Sequence, residues 1–270
     1  MLKLHELNKR KERSERLTMI TAYDYYSAKL IQQSGIDLIL IGDSLGMVVK
    51  GEKDTLGVTL DEIIYHSKMV RKGADDTFLI ADLPFMTFHT SVEKAKINAA
   101  RLIVEGAANA VKLEGGSPSR IEMIKGIVDC EIPVVGHLGL TPQSIHKLGG
   151  YKVQAKSTEQ AEQLIEEAKE IEQAGAIMLV LEAVPEQLAK EVTEELNIVT
   201  IGIGAGRFTD GQVLVFHDLF NLADIHPKFA KCYADVAEVI REGLKNYKEE
   251  VEGNKFPASE HVYFPLTDTE

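Results

Sequence analysis

Eight short aliphatic runs, separated by longer stretches of helical periodicity, constrain this 270-residue chain more than any other feature. The runs fall at residues 17–22, 37–43, 78–82, 110–114, 133–138, 177–182, 198–203 and 213–217. Continuous aliphatic character, in place of strict alternation, marks strands buried on both faces in a parallel sheet covered by helices. The intervening stretches carry the matching helix signals. Ser91 opens one that places Ala95, Ile97, Ala100, Leu102 and Ile103 on a broad face and stops at Gly106. Ser157, with Gln160 three residues on, forms a capping box; Ala161, Leu164, Ile165, Ala168 and Ile171 follow at helical spacing up to Gly175. Further helices are predicted over 25–34, 60–73, 119–129, 186–196 and 229–250. Strand and helix alternating eight times predict an α/β chain folded as one (β/α)8 TIM barrel over residues 1–270. Residues 1–16 read as a short lead-in and 251–270 as an irregular tail. A doubly wound open sheet is the competing arrangement.

Composition narrows the function classes. Hydrophobic residues make up 44% and charged residues 27%, a soluble globular balance. A net charge of -12 argues against a nucleic-acid-binding surface, which would be basic. No run approaches the roughly 18 to 20 apolar residues of a membrane span. The charged N-terminus lacks the apolar core of a signal peptide. Cys130 and Cys232 lie far apart with no metal or redox spacing, as in a reducing compartment. A cytoplasmic protein with neither nucleic acid nor membrane as partner is the expectation.

The strand ends carry the chemistry, because a barrel gathers them at one mouth. The second strand ends in Asp43 and Ser44, and the third ends at Asp82. The fourth presents Lys112 and Glu114 on one side of its pleat, the fifth delivers His137, and the sixth delivers Glu182. A single aspartate at a strand end commonly caps a helix or closes a turn. Acids on three successive strands beside one lysine are a different matter. With no arginine next to them, they call for a divalent cation, and hard carboxylate oxygens suit Mg²⁺. His137, set between two glycines, is a secondary candidate that a structural role would explain equally well. His89, His146 and His217 show no metal spacing. The stretch "IGIGAG" at 201–206 resembles a dinucleotide loop, but it comes late in the chain without an N-terminal βαβ unit; a tight loop at the mouth of the seventh strand is the better reading.

The ordered stretches "TAYDYYSA", "LILIGDSLGMVVKG", "DLPFM", "NAARLIVEGAANAVKLEGG", "VVGHLGLTPQS", "GGYKVQAK", "LVLEAVP" and "IGIGAG" run from about residue 18 to residue 218. Together they resemble the ketopantoate hydroxymethyltransferases, barrels of the phosphoenolpyruvate/pyruvate superfamily. The resemblance implies transfer of a hydroxymethyl group from 5,10-methylenetetrahydrofolate to 3-methyl-2-oxobutanoate, with Mg²⁺ as cofactor. It implies Asp43 and Asp82 as metal ligands, with Glu114 completing the metal environment through water. Ser44 and Lys112 would contact the oxo acid, and Glu182 would be the proton acceptor. It also implies a homo-oligomer, a decamer in the family, for which the last long helix is a contact element. Ala155 stands where the family pattern has glycine, and Thr209 where it has cysteine. "DLPFM" continues as "TFH" where "SY" is more usual. These departures are expected to touch only loops at the mouth and the folate contacts.

Three other readings compete. A Mg²⁺-dependent C–C lyase of the isocitrate-lyase or phosphonopyruvate type would use the same barrel, but neither cysteine falls at a strand end near the acids. A non-catalytic scaffold has no need of the complete set of acids, lysine and glutamate. A nucleotide-binding oxidoreductase rests on "IGIGAG" alone.

Overall fold

The computed structural model describes residues 3–264. Eight parallel strands close into a barrel in sequence order: β1 Leu17–Thr21, β2 Leu38–Ile41, β3 Phe78–Asp82, β4 Ala110–Glu114, β5 Val134–Gly139, β6 Met178–Glu182, β7 Val199–Ile203 and β8 Gly211–Leu214. Among the described residues eleven α-helices accompany them: α1 Leu4–Glu12, α2 Tyr25–Gln33, α3 Leu45–Val48, α4 Leu60–Gly73, α5 Val92–Val104, α6 Pro118–Val128, α7 Ile145–Leu148, α8 Thr158–Gln173, α9 Glu186–Glu195, α10 Phe216–Leu219 and α11 Val236–Glu252. This is the (β/α)8 TIM barrel that the alternation predicts, in a single domain; the open sheet is excluded by the β1–β8 pairing, Leu17 against Gly211. The capping box at Ser157 forms as read, each partner's side chain bonding the other's backbone N–H at 3.3 Å.

Pleat parity builds two apolar layers. Met19, Leu38, Leu40, Phe78, Ile80, Ala110, Val135, Met178, Val180, Ile201 and Val213 fill the barrel interior. The alternate strand residues, among them Ile39, Leu79, Val111, Leu113, Leu179 and Leu181, pack outward against the helices. Interior packing at every second position carries a direct consequence. Asp82, Lys112, His137 and Glu182 each lie two residues beyond an interior residue (Ile80, Ala110, Val135 and Val180), so all four aim into the barrel at its C-terminal rim. Strand register staggers them up the rim: Asp82 is level with Lys112, His137 with Glu114 one pleat higher, and Glu182 with Gly139 higher again.

Three boundaries differ from the expectations. The lead-in 1–16 contains a helix, α1, whose Leu7 is buried against the barrel interior. Arg10 bonds Asp37 before β2, and Lys11 Nζ bonds Asp210 before β8 at 2.8 Å, so the helix seals the N-terminal end of the barrel. The last strand is Gly211–Leu214 and not 213–217. It starts at a glycine because a Cβ there would stand 2.5 Å from the Leu17 carbonyl oxygen, and it ends where Phe216 N–H turns to bond Thr21 Oγ1 at 3.0 Å. The last helix is α11, Val236–Glu252, rather than 229–250; Asp235 caps it through Glu238 N–H, and 220–235 is irregular. Beyond α11 the predicted tail holds a single turn, Ser259–His261, and its residues 265–270 lie outside those described.

Candidate active site

The mouth of the barrel encloses a cavity of about 700 Å³. Asp43, Ser44, Asp82, Lys112, Glu114, His137 and Glu182 all line it, so every site residue read from the sequence converges on one space. Gly42 explains how two residues beyond β2 reach it. A Cβ at Gly42 would stand 2.8 Å from Ser44 Oγ and 3.6 Å from Asp82 Oδ2. The missing side chain lets the backbone turn at once into α3, and Asp43 N–H then donates to Asp82 Oδ2 at 3.0 Å.

The polar groups form a connected set. Lys112 Nζ lies 3.0 Å from Asp82 Oδ1 and 3.3 Å from His137 Nδ1. His137 in turn lies 3.6 Å from Glu114 Oε1 through Nδ1 and 3.2 Å from Glu182 Oε2 through Nε2. The Nε2 contact is at ion-pair distance but lacks the alignment of a hydrogen bond. Tyr23 hydroxyl and Ser44 Oγ share a hydrogen bond of 2.7 Å. Gln143 Nε2 donates to Asp43 Oδ2 at 2.8 Å, and Gln143 N–H donates to Glu114 Oε2 at 3.0 Å.

Burial in this company shifts the titrations. Asp43 is pushed well above the usual carboxylate range by burial first, then by the charges of Asp82 and Glu114. Burial also raises Asp82, against the opposing pull of Lys112. Lys112 loses solvation, yet its three carboxylate neighbours, Asp82 foremost, raise it overall. Burial and Lys112 both disfavour a charged His137, but its contacts to Glu114 and Glu182 prevail and push it up to about 9. Four carboxylates therefore face two cationic groups, Lys112 and protonated His137. Complete ionisation of the acids leaves a deficit of two charges, which a divalent cation would meet.

The donor set fits such an ion. Gln143 Oε1 is buried without a hydrogen-bond partner, and Asp82 Oδ1 has only its ion pair with the Lys112 ammonium. Among the described residues no three His, Cys, Asp or Glu side chains stand as a ready-made cage. Mg²⁺ tolerates that, since it commonly takes one or two carboxylates and completes its shell with water and substrate oxygens.

Sequence reasoning missed Gln143, Tyr23 and Gly139. Gly139, at φ +92°, ends β5 opposite Glu182, and a Cβ on it would stand 2.2 Å from the Glu182 carbonyl oxygen. A glycine immediately before a mouth loop was the signal available for it. Tyr23 lies two residues past β1, the offset at which Asp43 follows β2. One of the family departures falls differently from expectation. Thr209 is buried in the connection just before β8, at the opposite end of the barrel, where its Oγ1 bonds the Gly211 carbonyl at 2.8 Å. Ala155 keeps a glycine-like φ of +53°. "IGIGAG" spans the end of β7 and the loop after it, with Gly204 at φ +62° and Gly206 at φ +77°, as the loop reading expects.

Comparison with known proteins identifies the family. The family model described as ketopantoate hydroxymethyltransferase matches residues 1–259. The 3-methyl-2-oxobutanoate hydroxymethyltransferase of Clostridium beijerinckii is 54% identical over 254 residues, covering 94% of this chain and 92% of the relative. That of Thermoanaerobacter sp. is 51% identical over 258 residues, covering 95% and 94%. Among solved structures, 2,3-dimethylmalate lyase superposes with a TM-score of 0.63 at 16% identity, covering 97% of this chain and 89% of that one. Phosphonopyruvate hydrolase, solved with oxalate and Mg²⁺, gives a TM-score of 0.63 at 11% identity, covering 97% and 93%. Those structural likenesses speak for the shared barrel; the sequence match carries the family. The chain belongs to the ketopantoate hydroxymethyltransferase family.

Proposed function

We propose that this chain transfers a hydroxymethyl group from 5,10-methylenetetrahydrofolate to 3-methyl-2-oxobutanoate, giving 2-dehydropantoate for pantothenate biosynthesis. The carrying observation is the convergence of Asp82, Lys112, His137 and Glu182 on one cavity at the rim, beside Asp43 and Ser44, in a family whose named relatives perform this transfer.

Asp43 and Asp82 would hold the divalent cation, with Glu114 behind them bonding through water. When bound, a divalent ion supplies Lewis-acid polarisation of the oxo acid's keto and carboxylate oxygens. Ser44, whose hydroxyl is oriented by Tyr23, offers a hydrogen bond to the substrate carboxylate. Lys112 places a preorganised positive charge where negative charge develops on the keto oxygen. Glu182 takes the proton from C3, and His137 at 3.2 Å holds that carboxylate in place. The resulting C3 nucleophile forms its bond to the folate one-carbon unit; with uptake of one water, tetrahydrofolate leaves. The cavity is several times larger than a five-carbon acid, and Met47, Tyr151, Val153 and Phe229 in its outer part give the folate rings apolar surfaces to lie against.

Glu182→Gln is expected to abolish deuterium exchange at C3 and lower turnover by at least 10²-fold while oxo-acid and metal binding persist. Parent-like exchange in that variant would remove Glu182 as the base. A lyase on the same barrel is not favoured, because the lyase-like structures share the fold at 11–16% identity whereas the transferases share half of the sequence. No helix among the described residues is long and apolar enough to cross a membrane. Self-association, a decamer by family resemblance, is supported by α11. It buries no residue in the isolated chain, yet Ile240, Leu244, Tyr247 and Val251 repeat along it at helical spacing.

A further inference from the structure

Between the carboxylates of β2 and β4 sits a side chain that the chemistry above leaves unused. Gln143 belongs to the short turn Pro142–Ser144 after β5 and is only 5% exposed. Its Nε2 donates both to Asp43 Oδ2 at 2.8 Å and to the Leu83 carbonyl at 3.0 Å. Its backbone N–H donates to Glu114 Oε2 at 3.0 Å. One loop residue is thus tied to the C-terminal ends of three strands. Both amide hydrogens are spent, whereas Oε1 is buried with no partner, an uncommon state for an amide oxygen in a folded protein.

The residue type matters. A lysine or arginine in this place would also satisfy Asp43, but its permanent charge would take up the deficit that a cation otherwise meets. A side-chain amide orients Asp43 without adding charge, while the backbone N–H holds Glu114, and the amide leaves an acceptor facing whatever donor arrives. We propose that Gln143 is a positioning residue for a divalent cation: its donated bonds fix Asp43 and Glu114 in the orientation that receives the ion, and Oε1 accepts a hydrogen bond from water that the ion brings. The inference rests on the reading of Asp43 and Asp82 as ion-binding residues.

Mn²⁺ tests both levels by a readout independent of turnover, the paramagnetic resonance signal of the free ion titrated against protein at pH 8. Asp43→Asn tests the underlying reading: it is expected to abolish tight Mn²⁺ binding, and unchanged binding would overturn the ion site and the inference with it. Gln143→Met removes the side-chain donors and acceptor at similar volume. Outer groups that orient metal ligands typically carry 10- to 100-fold of affinity, so the dissociation constant should rise by about that factor. Should the methionine variant fail to fold, Gln143→Asn keeps the backbone bond to Glu114 and withdraws the amide by one carbon; at least a fivefold weakening is expected. A folded Gln143 variant that binds Mn²⁺ within twofold of the parent, even with a lowered ion-free melting temperature, would reduce Gln143 to loop packing and overturn the proposal.

Discussion

Replacing Lys112 by methionine tests the charge balance of the mouth. Lys112 is 4% exposed, and its ammonium lies 3.0 Å from Asp82 Oδ1. Methionine fills nearly the same space, so packing changes little, but the acids keep His137 as their one cationic neighbour. Removing one partner of a buried pair costs about 3–5 kcal/mol, because the remaining charge stays desolvated. For a chain of this size that is a fall of roughly 6–20 °C in melting temperature. The pH dependence follows from the signs. Lys112 is raised above its ordinary value, so its stabilising charge is present throughout pH 5–8 and does not itself titrate there. Asp82 is already raised by burial and rises further without Lys112. The variant is therefore spared at low pH, where Asp82 is neutral, and loses stability as pH rises through its elevated value. Thermal melts followed by circular dichroism at pH 5.5 and pH 8, with EDTA or with 10 mM Mg²⁺, measure this directly. The deficit should be larger at pH 8, and saturating Mg²⁺ should return part of it, up to about 2.7 kcal/mol at a hundredfold excess over the dissociation constant. A loss below about 1 kcal/mol at pH 8, or one equal at both pH values, would refute Lys112 as the group that stabilises the ionised acids.

Three further outcomes are expected. Gly139→Ala, with a Cβ 2.2 Å from the Glu182 carbonyl oxygen and a φ of +92°, should destabilise by about 2–5 kcal/mol and cut turnover severely; near-parent kinetics would show that the β5–β6 register tolerates a shift. Ala155→Gly relieves a left-handed alanine and should stabilise by about 0.5–1 kcal/mol in urea unfolding, with a neutral or negative result arguing that the strain is absent. Asp218, on the cavity wall, is raised by burial to about 6, so the folded state loses stability as pH climbs from about 4 to about 6; Asp218→Asn should flatten that slope and gain roughly 2–3 kcal/mol at pH 7, measured as melting temperature against pH.

What the sequence made legible follows one physical rule. In a parallel barrel the pleat alternates interior and exterior, so a polar residue two positions past an interior aliphatic one must face the mouth; Asp82, Lys112, His137 and Glu182 obey it. Elements outside that rule were harder to see. Helix α1 buries Leu7 alone and holds its place by Arg10 and Lys11, so its amphipathic signal is thin. The run Val213–Leu214–Val215–Phe216 is apolar throughout, and periodicity cannot tell the end of a strand from the first turn of a helix. Gln143 stands on a loop and meets Asp43 across 100 residues, a contact that no local pattern encodes.

The arrangement of cations also divides the mouth. Lys112 leans toward Asp82 on the β2–β4 side, His137 leans toward Glu182 on the β6 side, and the two meet at 3.3 Å between them. Two positive groups in contact are tolerated because each is flanked by carboxylates, and the pair stands between Asp82 and Glu182, the two carboxylates to which the proposal gives different work. That separation is what the proposed chemistry demands. Were Glu182 drawn into the ion's shell, its lone pairs would be engaged and it could not take a proton from carbon. Held by an imidazolium on the far side, it stays available at the rim, while the chelating oxygens of the oxo acid belong on the near side. A substrate spanning Lys112 would place its keto oxygen beside the ammonium and C3 toward Glu182, so under the proposed chemistry the division of the acids into two groups would fix which end of the molecule is polarised and which is deprotonated.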